Sequence, residues 1–149
     1  MNLIIDVGNT RVKAAVFEED NLVDLFVFNK DKILLEIKKI ISKYYISTAI
    51  ISAVATLQEE KLKELHQFLE LLELNYQTKV PFKNKYETPN TLGVDRIALA
   101  SGAIHKYPGK NVLIIDAGTC ITYDFVNKKG EYLGGGISPG IRIRYQALH

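Results

Sequence analysis

The sequence predicts an α/β fold whose opening strands occur twice in one chain. Three observations point there. Short apolar, β-branched runs at 3–7, 12–17 and 22–28 are joined by tight polar turns, the pattern of an antiparallel meander. Amphipathic helical patterns then alternate with a further apolar run. The resulting order β-β-β-α-β-α calls for a mixed sheet with helices packed on it. Finally, Leu113-Ile114-Ile115-Asp116-Ala117-Gly118 repeats Leu3-Ile4-Ile5-Asp6-Val7-Gly8, and strand-like residues follow each copy.

Composition sets the outer bounds. With 149 residues, 47% of them hydrophobic, and a formal net charge of +2, the chain can bury a real core and lacks the marks of disorder. So small a positive excess gives no electrostatic case for nucleic acid. No apolar run approaches the roughly 20 residues that span a bilayer, and Asp6 interrupts the one candidate for a signal h-region. The single cysteine, Cys120, excludes an intramolecular disulfide and fits a reducing, cytoplasmic setting.

The first strand ends in Asp6, and Gly8-Asn9-Thr10-Arg11 form the turn into the second. A carboxylate at a strand end, followed by Gly, Asn and Thr, makes a turn that can meet phosphate and a hydrated Mg²⁺. The same residues also suit an ordinary hairpin with an Asx turn. Gly8 is expected to allow a positive φ and close backbone approach. The second copy favours the ligand-binding alternative, because two Asp-x-Gly units suggest two related half-sites. After the third strand, Asn29-Lys30-Asp31 supply helix-capping residues, and Ile33, Ile37, Ile40, Ile41 and Tyr44 fall at helical spacing. The run 48–55 reads as a buried strand. Thr56-Leu57-Gln58-Glu59 matches a capping box, opening a helix to about residue 72 with Leu62, Leu65, Leu69 and Leu72 as its stripe. The charges of this helix read as a solvated face.

Residues 80–90 form a turn-rich loop, and Gly93-Val94-Asp95-Arg96 open a helix over 97–105. Asp95 lies where the helix dipole favours a negative charge. Beside Arg96, it also sets a base next to an anion-binding fork. A second set of strands spans 111–138, and Gly134-Gly135-Gly136 permit close backbone approach. After Pro139-Gly140 a helical pattern runs to the end without a C-cap, so the sequence reads as a fragment whose second half is cut short. The expected domains are residues 1–108 and 109–149, with the boundary near the loop at 80–90 or the helix after it.

Four motifs, in order and spacing, resemble those of type III pantothenate kinase. They are Asp6-x-Gly8-Asn9-Thr10-Arg11-x-Lys13, Gly93-x-Asp95-Arg96, Asp116-x-Gly118-Thr119-x-x-Thr122, and the glycine turn Gly135-Gly136 with Pro139-Gly140. The resemblance implies a duplicated ribonuclease H-like (actin-like ATPase) fold of the acetate and sugar kinase, Hsp70 and actin superfamily. It implies transfer of the γ-phosphate of ATP to pantothenate, giving 4'-phosphopantothenate, the first step of coenzyme A synthesis. On that basis Asp6, Val7, Gly8, Asn9, Thr10, Arg11, Val12 and Lys13 meet the ATP phosphates, with Asp6 on the Mg²⁺ that accompanies ATP. Thr119 also contacts ATP, and Asp116 binds a monovalent cation, K⁺ or ammonium. Tyr86, Gly93, Val94, Asp95 and Arg96 line the pantothenate pocket, and Asp95 is the general base. The resemblance also implies a homodimer, with part of the pantothenate site from the partner subunit; the expected location is cytoplasmic, and neither nucleic acid nor membrane is an expected partner.

Two other readings compete. One is a non-catalytic regulatory accessory protein of the same family. The other is a different small-molecule kinase, or a polyphosphatase, of the superfamily. Asp6, Asp95 and Asp116 favour the kinase, and Gly93-x-Asp95-Arg96 discriminates against the wider superfamily. Because the family continues through a second domain, the 149-residue chain is expected to fold its first domain and to have little or no activity alone. Cys120 reads as a small buried apolar residue. His66, His105 and His149 lack metal-ligand spacing, and Asp124 receives no role.

Overall fold

The computed structural model describes residues 1–53 and 57–148. The end of the expected fourth strand, the capping box at Thr56 and the terminal His149 lie outside the described residues. The chain divides into two compact units, Met1–Asn75 and Tyr76–His149.

The first unit is built on β1 (Asn2–Val7), β2 (Val12–Glu18), β3 (Asn21–Phe28), β4 (Thr48–Ala53) and β5 (Leu71–Glu73), in the sheet order β3-β2-β1-β4-β5. The first three strands pair antiparallel, whereas β4 runs parallel to β1 and β5 parallel to β4. This is the mixed sheet that the element order required. Period-two alternation sends Leu3, Ile5, Val7, Val12, Ala14 and Val16 to one face. There they join Ile33, Ile37 and Ile40 of α1 (Ile33–Lys43) and Leu65 of α2 (Glu59–Phe68) in a single core. The opposite face therefore carries Asp6, which pairs in register with Lys13 of β2 and Ser52 of β4.

Two expectations need correction in this unit. Asn29 caps a short 3₁₀ turn (Lys30–Lys32) ahead of α1, but its side chain makes no capping bond; its carbonyl accepts the Lys32 N–H at 3.1 Å. The second helix stops at Phe68 instead of running to residue 72, and Leu71–Glu73 becomes an edge strand. The free edge of β4 explains the switch. The Ala49 N–H donates to the Glu70 carbonyl, and the Leu74 N–H to the Ile51 carbonyl, both at 2.9 Å. A ladder is gained while Leu69 stays in the core, and Leu72 turns outward. His66 Nε2 lies 2.7 Å from Glu73 Oε1 and ties the end of the helix to this strand.

The second unit holds β6 (Lys83–Asn84), α3 (Val94–Lys106), β7 (Val112–Ala117), β8 (Cys120–Val126), β9 (Glu131–Pro139) and α4 (Ile141–Gln146). Its sheet order is β6-β9-β8-β7. Strands β7, β8 and β9 form an antiparallel meander, and β6 joins parallel to β9. The expected loop at 80–90 thus contains a two-residue strand, secured by Lys83 N–H to the Gly130 carbonyl at 2.8 Å and Lys85 N–H to the Tyr132 carbonyl at 2.9 Å.

The triple glycine is strand, not turn. Gly134 has φ +101° where the β8–β9 register shifts, a bulge that a side chain would strain. Gly135 sits opposite Asp124, and a Cβ there would collide with the Tyr123 carbonyl oxygen. Among the described residues, no helix is long and apolar enough to cross a membrane.

Candidate functional site

The two Asp-x-Gly repeats take the same local form. Each closes a strand and leads through a tight turn into an antiparallel partner, so Asp6 faces Lys13 and Asp116 faces Thr122 across their hairpins. The turns differ in size. The first spans residues 8–11, with the Gly8 N–H donating to the Arg11 carbonyl at 3.1 Å. The second is only Gly118-Thr119, with the Gly118 N–H on the Cys120 carbonyl at 2.9 Å. Gly8 does not adopt the positive φ expected of it. Its value is space, because a Cβ would stand 3.2 Å from the Arg11 carbonyl oxygen. Val7 and Val12 are buried in the hairpin stem, while Asn9, Thr10, Arg11 and Lys13 are exposed around it. The polar side chains are therefore open to solvent on a rigid base.

In the second unit, Asp116 and Thr119 are exposed at the tip of the β7–β8 hairpin. The Gly140 N–H donates to the Thr119 carbonyl at 3.0 Å, and no Cβ would fit at Gly140 against Gly118 and Thr119. This contact pins the hairpin tip to the start of α4.

Helix α3 presents the third motif. Gly93 is its N-cap, and the Asp95 carboxylate folds back so that Oδ1 accepts the Arg96 N–H at 2.9 Å. A Cβ on Gly93 would stand 2.5 Å from that same Oδ1, so the glycine makes room for the carboxylate. Asp95 is half-buried, and one residue later Arg96 points inward and is 5% exposed. Its guanidinium meets Asp124 of β8, which is fully buried. Arg96 Nε and Nη2 donate to Asp124 Oδ1 at 2.9 and 2.6 Å. The Tyr132 hydroxyl donates to the same oxygen at 2.5 Å. The ring of Tyr86 lies 5.7 Å from Arg96 Cζ, and its edge packs on Gly134.

The electrostatics follow from this burial. Desolvation pulls the Arg96 guanidinium down, but the hydrogen bond and charge of Asp124 outweigh it and hold the pKa above its ordinary value. Burial pushes the Tyr132 phenol up, and its hydrogen bond to the carboxylate raises it further. Arg96 and Tyr132 therefore stay protonated donors throughout the neutral range.

Among the described residues, no group of three or more His, Cys, Asp or Glu is placed to enclose an ion. Asp6 and Asp116 each offer hard oxygen donors, which suit Mg²⁺ or a monovalent cation whose other ligands are phosphate and water. Beside Asp116 on the same sheet face, the Thr122 hydroxyl is buried and finds no hydrogen-bond partner among the described residues.

The structure thus places Asp6, Val7, Gly8, Asn9, Thr10, Arg11, Val12 and Lys13 in the first unit, and Tyr86, Gly93, Val94, Asp95, Arg96, Asp116 and Thr119 in the second. It sets Arg96, with Tyr86 beside it, against a residue that received no role, Asp124, while the Asp95 carboxylate folds onto the start of α3. The signal was present, since Thr122, Asp124 and Val126 alternate toward one buried face of β8. An acid on such a face needs a buried counter-charge. Cys120, expected inside, is exposed at the start of β8.

A family model described as type III pantothenate kinase matches residues 2–149. A type III pantothenate kinase of Flavobacterium johnsoniae is 45% identical over 150 aligned positions, covering 100% of this chain and 62% of the relative. That of Christiangramia forsetii is 47% identical with the same coverage. The chain therefore spans about three-fifths of the length of these curated relatives. Among solved structures, a Campylobacter jejuni protein described as a Baf family transcriptional activator superposes with TM-score 0.57 at 23% identity, over 99% of this chain and 60% of the other. An Aquifex aeolicus Ppx/GppA phosphatase gives TM-score 0.59 at 15% identity, over 98% and 54%. At such identities the likeness is one of fold, and that fold is the actin-like ATPase class expected from the sequence.

Proposed function

Because the chain belongs to the type III pantothenate kinase family, we propose that it carries the machinery for ATP-dependent phosphorylation of pantothenate to 4'-phosphopantothenate. The observation that carries this reading is the family match over residues 2–149. The geometry agrees with it. Phosphoryl transfer asks little covalent chemistry of a protein and much positioning and charge stabilisation. The 8–11 turn offers backbone and side-chain donors to the ATP phosphates, with Lys13 offsetting their charge. Asp6 holds the Mg²⁺ that accompanies ATP, Thr119 adds a contact to the nucleotide, and Asp116 holds K⁺ or ammonium.

Asp95 accepts the proton of the pantothenate hydroxyl as the bond to phosphorus forms. The proton leaves late in such a transfer, so an ordinary carboxylate suffices. Tyr86, Gly93, Val94 and Arg96 bind pantothenate, with the Arg96 guanidinium suited to its carboxylate. The working protein is a cytoplasmic homodimer, and the 149-residue chain alone turns over weakly or not at all, because its relatives are longer.

The test is product identity. The full-length gene product, ATP and Mg²⁺ are incubated with pantothenate or with a panel of sugars, and the phosphorylated products are followed by ³¹P NMR. A phosphomonoester formed only from pantothenate supports the reading. Phosphorylation of a sugar alone, or of nothing, contradicts it.

A further inference from the structure

We propose that Asp124 is a positioning residue for substrate recognition: it holds the Arg96 guanidinium in a fixed plane, with Tyr132 and Tyr86 as braces. The proposal rests on the reading above that Arg96 meets the substrate carboxylate.

Three observations carry it. First, Asp124 is fully buried and spends one oxygen on three donors, Arg96 Nε at 2.9 Å, Arg96 Nη2 at 2.6 Å and Tyr132 Oη at 2.5 Å. Both Arg96 bonds converge on Oδ1, and together they fix the rotation of the guanidinium plane. Second, the arrangement is poorly explained by stability. Oδ2 of Asp124 is buried and finds no hydrogen-bond partner among the described residues. A buried ion pair left half-satisfied is commonly no better for stability than apolar residues of the same size. Third, residues distant in sequence meet at the pair. Gly135 lets β9 close on the backbone at Tyr123 and Asp124, Gly134 leaves room for the Tyr86 ring, and Tyr132 packs at a tilt against both Phe82 and Tyr86, at centroid distances of 5.6 and 6.3 Å. Tyr86 lies against the guanidinium, Tyr132 bonds its partner carboxylate, and Phe82 backs Tyr132.

An arginine so held forfeits little rotamer freedom when an anionic ligand arrives. Loss of the brace should therefore weaken substrate binding more than it slows phosphoryl transfer.

The experiment measures kcat and KM for pantothenate and for ATP in the full-length protein, with a thermal melt of each variant. Asp124→Asn keeps shape and one acceptor oxygen but removes the charge, and about a tenfold rise in the pantothenate KM is expected, with kcat and the ATP KM changing much less. Arg96→Ala should raise the same KM at least as far, and the double variant Arg96→Ala/Asp124→Asn should be no worse than Arg96→Ala alone, because Asp124 acts only through Arg96. If Asp124→Asn fails to fold, Tyr132→Phe decides, since it removes a single hydroxyl and should raise the pantothenate KM by about threefold. An unchanged pantothenate KM in a folded Asp124→Asn protein, or in Tyr132→Phe where that variant decides, overturns the proposal, as does additivity in the double variant. If Arg96→Ala itself leaves that KM unchanged, the substrate role of Arg96 is wrong and the proposal falls with it. That outcome differs from a failure of Asp124 alone.

Discussion

At Gly93 a single missing methyl group sets the position of the proposed base. The Asp95 carboxylate folds onto the first turn of α3 and occupies the space a side chain at 93 would need. In Gly93→Ala the obstructing atom is the end of a flexible side chain, so folding should survive while the carboxylate moves. A fall in kcat of about tenfold or more is expected, with the melting temperature nearly unchanged, since displacing a reacting group by about 1 Å costs up to a hundredfold. Steady-state kinetics beside a thermal melt would check it. Tyr132 supports a second expectation. Its folded pKa is raised above the unfolded value of about 10. The stability it contributes is complete below pH 10 and declines as pH rises toward the folded pKa. Denaturant unfolding at successive alkaline pH values should show this decline in the wild type and a shallower one in Tyr132→Phe. Residue types alone made Asp95 and Arg96 visible as a pair at a helix start. They did not reveal that the two side chains diverge, one folding over the helix end and the other entering the interior toward a strand 28 positions away.

Among the elements, the meander and its tight turns were legible because apolar alternation and turn residues are local signals. Both Asp-x-Gly strands, α1 and α3 lie within a few residues of their expected bounds. What escaped was decided by partners distant in sequence. Leu71-Leu72-Glu73 continues a helical leucine stripe, yet the open edge of β4 recruits it as a strand. Lys83-Asn84 carries no strand signal and is held by β9. The triple glycine suggests a turn by composition, whereas its lack of side chains is what allows β9 to close against β8. Gly135→Ala should therefore damage this hairpin severely, by more than about 3 kcal/mol, as for large steric mutations in general. Ile37→Ala, in the core of the first unit, should cost about 2–5 kcal/mol. Urea unfolding of each variant checks both values, and a Gly135→Ala protein as stable as wild type would refute the close-contact account of β9.

For the molecule as a whole, two units share one hairpin design but differ inside. The first has an apolar core of β-branched residues and leucines. The second centres on a buried Arg–Asp–Tyr cluster. One face of its sheet leaves Leu113, Ile115 and Tyr123 exposed, and Ile115 and Tyr123 are register partners. A patch of this kind favours association, so the 149-residue chain should sediment faster than a monomer at micromolar concentration, and Ile115→Lys should reverse that. The family itself could be recognised in the sequence because four short motifs kept order and spacing. The Asp124 anchor could not, because it depends on which side chains the fold brings together.

The proposed reaction is phosphate transfer to pantothenate with Asp95 as base. The most direct measurement is pantothenate-dependent ADP release by the full-length gene product, with Mg²⁺ and K⁺ present, compared with an Asp95→Asn variant of unaltered melting temperature. Turnover in the wild type and a loss of about 10²- to 10⁴-fold in the variant are expected. Equal turnover in both would remove Asp95 from the chemistry, and ATP binding without any pantothenate-dependent release would contradict the kinase assignment.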